Sequence, residues 1–196
     1  MQSCFGAKQA KRNALILTVI IGISITGISY AGASSQVVTT KYTILEFNST
    51  EDITAFNDAI AFEAHNSLTS IFNSPTLIDI KTDLARKIDL LFEKVRLILD
   101  MRKPMKKVTI RVHSNDEQLK DSFQKTFKQQ DSPRGWYLFE NNTIYLNVQD
   151  VHEGMLAHEL GHAIIDHYFA VKPPRATAEI LAKYVDRHLF DEVKQY

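Results

Sequence analysis

Cysteine is nearly absent from this 196-residue chain: the one copy is Cys4, ahead of the first apolar run. The rest of the chain has no disulfide framework and no cysteine-rich metal site, so any bound metal must be held by His, Asp or Glu. A charge of one sign is also missing, since 23 basic residues balance 23 acidic ones. That excludes the basic excess expected of a nucleic-acid binder. Internal repeats and low-complexity segments are absent as well. The apolar fraction of 44% is ordinary for a globular protein. It suits one domain with one core.

A long hydrophobic run occurs once. Lys8, Lys11 and Arg12 precede the uncharged stretch from Ala14 to Tyr30, and Ala31 and Ala33 follow with the spacing of an A-x-A cleavage site. Residues 1–35 therefore read either as a secretory signal peptide or as an N-terminal membrane anchor of near-minimal length. If cleaved, the body is secreted or periplasmic; if retained, it is a single-pass protein with its domain outside the cytoplasm. The basic flank favours an inside N terminus. Cys4 precedes the apolar run, which argues against lipoprotein processing.

The body, 36–196, reads as a single domain. Residues 39–47, "TTKYTILEF", alternate as one strand. A helix capped by Ser49 or Thr50 carries apolar residues at helical spacing from Ile53 through Ile71, until "NSP" (73–75) breaks it. A second long helix follows through Leu84, Ile88, Leu91, Val95 and Ile98, with Arg86, Lys87, Lys94 and Arg96 on the opposite face. Together the two predict a helical hairpin over 50–103, packed on the domain or serving as a partner-binding arm. Residues 106–113 read as a strand. A helix then follows with Ser114 as N-cap and Glu117 at the capping-box position. "GWYLFENNTIYLNV" reads as a hairpin. Two helices, about 151–169 and 176–190, close the chain on either side of Pro173 and Pro174.

The first of those helices contains "HELGH". Residues four apart share a helix face, so His158 and His162 aim two imidazoles at one point, with Glu159 beside it. Catalytic zinc usually takes a third protein ligand. Asp166 lies about 12 Å along the axis from His158, too far for one ion, and His167 has the same defect. The third ligand must come from a separate element. The last helix offers Glu179 early in its return past the prolines, with Asp186 and His188 further along. Gly161 costs about 1 kcal/mol of helix propensity and suggests a backbone passing close by. His65, His113 and His152 read as surface or capping residues.

"HELGH" followed by "AEILA" resembles the gluzincin branch of the HEXXH zinc metallopeptidases, and "HELGHAIID" is similar to the motif helix of thermolysin-like enzymes. The likeness spans about 106–190. It implies an α+β zincin-like domain with a small mixed or antiparallel sheet, the HEXXH helix and a C-terminal Glu-bearing helix. It implies one zinc per chain held by His158, His162 and Glu179, with Glu159 as general base for hydrolysis of a peptide bond. In that family an edge strand pairs with extended substrate. The strand at 142–148 sits in the right order for it, which would give Thr143, Tyr145 and Asn147 substrate contacts. Tyr184, His188 and Tyr168 are candidates for stabilising the transition state. The chain departs from the family one turn after Glu179, where Lys183 replaces an aspartate that orients a histidine ligand. The alternative is an inactive, membrane-tethered zincin-like module for binding or assembly. A deformylase is set aside because that family takes a third ligand from an upstream cysteine.

Overall fold

In a computed structural model, which describes residues 35–62 and 76–191, Thr40 divides the expected first strand in two. Its Oγ1 accepts from the main-chain N–H groups of Tyr42 and Thr43, at 3.2 and 2.9 Å. The chain folds back there, and β1 (Gln36–Thr39) pairs antiparallel with β2 (Thr43–Phe47). The leader, the apolar positions 64, 68 and 71, His65 and "NSP" lie outside the described residues. All described residues belong to the compact unit Ala33–Tyr196. Among them, no helix is long and apolar enough to cross a membrane.

Helix α1 (Thr50–Ala59) is capped by Ser49, whose side chain accepts from the Asp52 N–H. It ends earlier than the apolar spacing predicts, and its hydrogen bonds explain why. The next helical bond would join the Ala61 N–H to the Asn57 carbonyl. Instead the Asn57 carbonyl accepts from Lys87 Nζ at 2.9 Å, and the Ala61 N–H donates to the Glu153 carboxylate at 2.7 Å. Lys87 is thus not on a solvated face. It is buried in α2 (Leu77–Leu99), with Asp83 at 3.0 Å completing its partners. The pairing satisfies the desolvation cost of a buried ammonium. The apolar face of α2, comprising Leu84, Ile88, Leu91, Phe92 and Val95, lies fully in the core.

Strand β3 (Val108–His113) pairs parallel to β2. Helix α3 (Asp116–Phe127) follows, capped by Asn115 rather than Ser114. The reciprocal bond is displaced with it: Gln118 accepts from the Ser114 N–H, and Glu117 is not used. The expected hairpin is present as β4 (Gly135–Leu138) and β5 (Thr143–Asn147). They are joined by one 3-10 turn, with Asn142 in the left-handed region at φ 52°. Helices α4 (Glu153–Tyr168) and α5 (Arg175–His188) complete the α+β fold.

The sheet order is β1-β2-β3-β5-β4, with β5 parallel to β3 and antiparallel to β4. One correction follows. Strand β5 is bonded on both sides and buried along its whole length, so Thr143, Tyr145 and Asn147 cannot receive an added strand. The free edge beside the motif helix is β4. Alternation then sorts the faces. Leu45, Phe47, Val108, Ile110, Val112, Ile144 and Leu146 join α1, α2 and α4 in the main core. Trp136 and Tyr145 face the other way, under Leu119 and Phe123 of α3.

Candidate metal centre

Helix α4 starts where His152 caps it, its Nδ1 accepting from the Met155 N–H. The apolar positions Leu156, Ala157, Leu160, Ala163 and Ile164 seat it against the sheet and α2. This leaves His158 and His162 on the flank that α5 covers. The Nε2 atoms of the two imidazoles lie 3.2 Å apart. Glu179, in the second turn of α5, faces them with both carboxylate oxygens, Oε2 lying 3.7 Å from His158 Nε2 and Oε1 3.7 Å from His162 Nε2. The three ligand atoms lie within 4.8 Å of one another. A tetrahedral zinc with bonds of 2.0–2.1 Å would hold its donors about 3.3 Å apart. The two imidazoles already meet that spacing, and the Glu179 carboxylate must move closer for one of its oxygens to meet it with both. The donor set, two nitrogens and one oxygen, is one that zinc accepts with a position left open. Among the described residues, this is the one such grouping of His, Cys, Asp or Glu.

Burial lowers the affinity of His158 for a proton, and burial together with the neighbouring His158 does the same to His162. Neutral imidazole is the ligand form. The Ala182 main chain acts weakly the other way, favouring the protonated His158 ring. Asp186 contributes its charge to His158 from further along α5. A Cβ on Gly154 would come within 2.5 Å of Asp186 Oδ1, so that carboxylate rests against the first turn of α4, where the helix dipole favours an anion.

Glu159 is 8% exposed. The Tyr137 main chain, on edge strand β4, lies close enough to favour the charged form of the Glu159 carboxylate slightly. Burial, with the charge of Glu179 adding to it, pushes the Glu159 pKa up to about 7. Sequence reasoning did not single out Tyr137, because its contribution is a backbone group that only the strand order brings to the motif helix. Burial, Asp166 and Glu140 raise the pKa of its phenol, which donates to Asn142 at 3.2 Å.

Asp166 is buried next to this arrangement and outside it. One of its oxygens pairs with Lys172 Nζ at 3.0 Å, and the other has no hydrogen-bonding partner among the described residues. Lys172 is more than half exposed, so the pair is screened on one side. Lys172→Met is expected to destabilise the fold by about 1 kcal/mol, because it strands a buried carboxylate. Adding Asp166→Asn should restore most of the loss in urea unfolding.

Tyr184 and His188 do not approach the cluster. They stack on each other at 4.2 Å, and His188 Nδ1 pairs with Asp191 at 2.6 Å. His188 is about 13 Å along α5 from Glu179 and on the opposite face. Tyr168 packs edge-on against Phe169 at the exposed end of α4. None of the three is placed to touch a group held by His158, His162 and Glu179.

Gly161 faces α5, yet the approach is not tight. A Cβ there would sit 3.6 Å from both Ala182 Cα and Val185 Cγ2, which is ordinary contact. Gly161→Ala is therefore expected to stabilise the protein by up to about 1 kcal/mol, read as a raised melting temperature.

Compared with known proteins, the chain matches no family model, no curated protein and no solved structure.

Proposed function

We propose that this chain is a zinc-dependent peptidase acting on exported or extracellular polypeptides. The observation that carries the reading is the convergence of His158, His162 and Glu179, from two helices, beside a buried Glu159. The likeness of "HELGH" and "AEILA" to gluzincins supports the same chemistry.

His158 and His162 through Nε2, and Glu179 through a carboxylate oxygen, would hold the ion. Zinc bound there supplies Lewis-acid chemistry, acidifying a water and polarising a carbonyl. The remaining steps belong to the chain. The Glu159 carboxylate removes a proton from the attacking water and returns it to the departing amine nitrogen. The Tyr137 main chain, on the β4 side, favours the charged form of that carboxylate. Substrate lies extended along the free edge of β4, where main-chain hydrogen bonds give affinity with modest side-chain selectivity. This replaces β5 as the pairing strand.

The test is metal analysis of the purified 36–196 fragment, followed by digestion of a mixed peptide library with and without chelator. One zinc per chain and chelator-sensitive cleavage are expected. Stoichiometric zinc with no cleavage of any peptide would favour an inactive binding or assembly module. Absence of metal would overturn both readings. The leader supports export of the domain, and immunoblotting of cell fractions for the mature mass distinguishes cleavage from anchoring.

A further inference from the structure

The sheet has a second polar region, on the face away from the motif helix. A cavity of about 480 Å³ opens at the carboxyl end of β5, between the start of α3 and the segment that leads into β4. Its wall includes Asp116, Lys120, Ser132, Arg134, Asn147 and Asp150. That volume falls within the range of small-molecule sites. The four charged side chains are already paired with one another, Asp116 with Lys120 and Asp150 with Arg134. The wall therefore has no net charge with which to select an ion.

Its uncharged groups are the unusual part. Among the described residues, four buried side-chain polar atoms have no hydrogen-bonding partner in the protein. Three of them belong to this face: His113 Nε2, Trp136 Nε1 and Asn147 Oδ1. Asn147 is 2% exposed and forms part of the cavity wall. His113 is its register partner across the β3–β5 pair. Trp136 and His113 both stack on Tyr145, at 4.8 and 6.4 Å. Buried polar groups are normally satisfied, and each one left unpaired disfavours the state that contains it. Here the acceptor, Asn147, forms part of the cavity wall, and the obligate donor and the imidazole lie on the same face of the sheet. Leu119 and Phe123 of α3 pack with Trp136 on this face.

We propose that this cavity is a second binding site, for a small neutral molecule that both donates and accepts hydrogen bonds. Sugar hydroxyls and primary or secondary amides share that chemistry. Asn147 Oδ1 takes a donor from the ligand, and Ser132 at the rim can donate to it or accept from it. The ligand binds on the opposite face of the sheet from His158, His162 and Glu179, so its binding does not require metal.

Trp136 is the sole tryptophan of the chain, so its emission reports this site directly. The full chain is titrated with N-acetylglucosamine and, separately, with N-acetylglutamine amide; the indole N–H is also followed by NMR. A saturable change with at least one probe is expected, with the responding arm telling sugar from amide. The change should persist in chelator and weaken at least tenfold in Asn147→Leu. Because Asn147 is buried, Ser132→Phe, which fills the cavity from its rim, serves as the second variant and should weaken binding likewise. No saturable change with either probe at millimolar concentrations would mean that water alone meets these groups, and would overturn the proposal. So would wild-type titration curves in a folded Asn147→Leu or Ser132→Phe protein, or loss of the signal on chelation.

Discussion

Replacing Glu179 by alanine is expected to abolish stoichiometric zinc binding, with affinity falling by more than about 100-fold, while Asp166→Ala still carries one ion per chain. The two carboxylates make a sharp pair because both lie near His162. Glu179 reaches each imidazole at 3.7 Å, whereas Asp166 spends one oxygen on Lys172 and is absent from the converging set. Elemental analysis after gel filtration gives the direct answer. Thermal melting gives a second one, since an ion that binds only the folded chain stabilises it by about 4 kcal/mol at a thousandfold excess over Kd. Zinc should raise the melting temperature of the wild type and of Asp166→Ala, and leave Glu179→Ala unmoved. Retention of metal by Glu179→Ala with loss in Asp166→Ala would overturn the ligand assignment.

Glu159→Gln should have opposite effects on activity and on stability. Hydrolysis is expected to fall by at least about 100-fold with zinc retained, because the amide cannot take up the proton. In the metal-free protein the same substitution should be stabilising, increasingly so as pH rises. The sign follows from proton counts. Below pH 4.5 the carboxyl is protonated in both states and contributes no difference. Between 4.5 and about 7 the folded chain holds a proton that the unfolded chain has released, so folding weakens as pH climbs. Above pH 7 the full cost is present, about 3 kcal/mol for a shift of this size. His158 and His162, with lowered pKa values, push in the other direction below pH 6.5, but they are common to both proteins. The difference in urea unfolding free energy between Glu159→Gln and wild type, with chelator present, should be near zero at pH 4 and largest at pH 8. A flat difference across that range would show that Glu159 is not desolvated in the fold.

The parts of this arrangement that were legible in the sequence are those fixed by local periodicity. The 3.6-residue repeat puts His158 and His162 on one face of α4 whatever surrounds them. The proline break and the short return then limit which residues of α5 can come level with them. The β4–β5 hairpin was legible for the same reason, since turn residues and alternating apolar positions are close in sequence. Strand order was not. "TIYLN" has the composition of an edge strand and of a central strand alike, and only the parallel partner β3, reached through α3, decides between them. The early end of α1 was hidden because the groups that terminate it, Lys87 and Glu153, are about 30 and 90 residues away. The Thr40 turn did carry a signal, a threonine side chain able to bond the main chain two and three residues on, but β-branched composition masked it.

All the groups named in the proposed chemistry, from Tyr137 to Glu179, lie in the contiguous stretch β4–β5–α4–α5, whereas β2 and β3 are joined across more than sixty residues. Folding speed follows the sequence separation of contacts. The hairpin and the two helices can meet after closing only short loops, while the centre of the sheet must wait for a long one. By that measure the imidazoles and the carboxylate are expected to come together before the platform beneath them is finished. If zinc binds as proposed, its presence during refolding is expected to speed the acquisition of structure as well as slow its loss, which stopped-flow refolding with and without chelator would read.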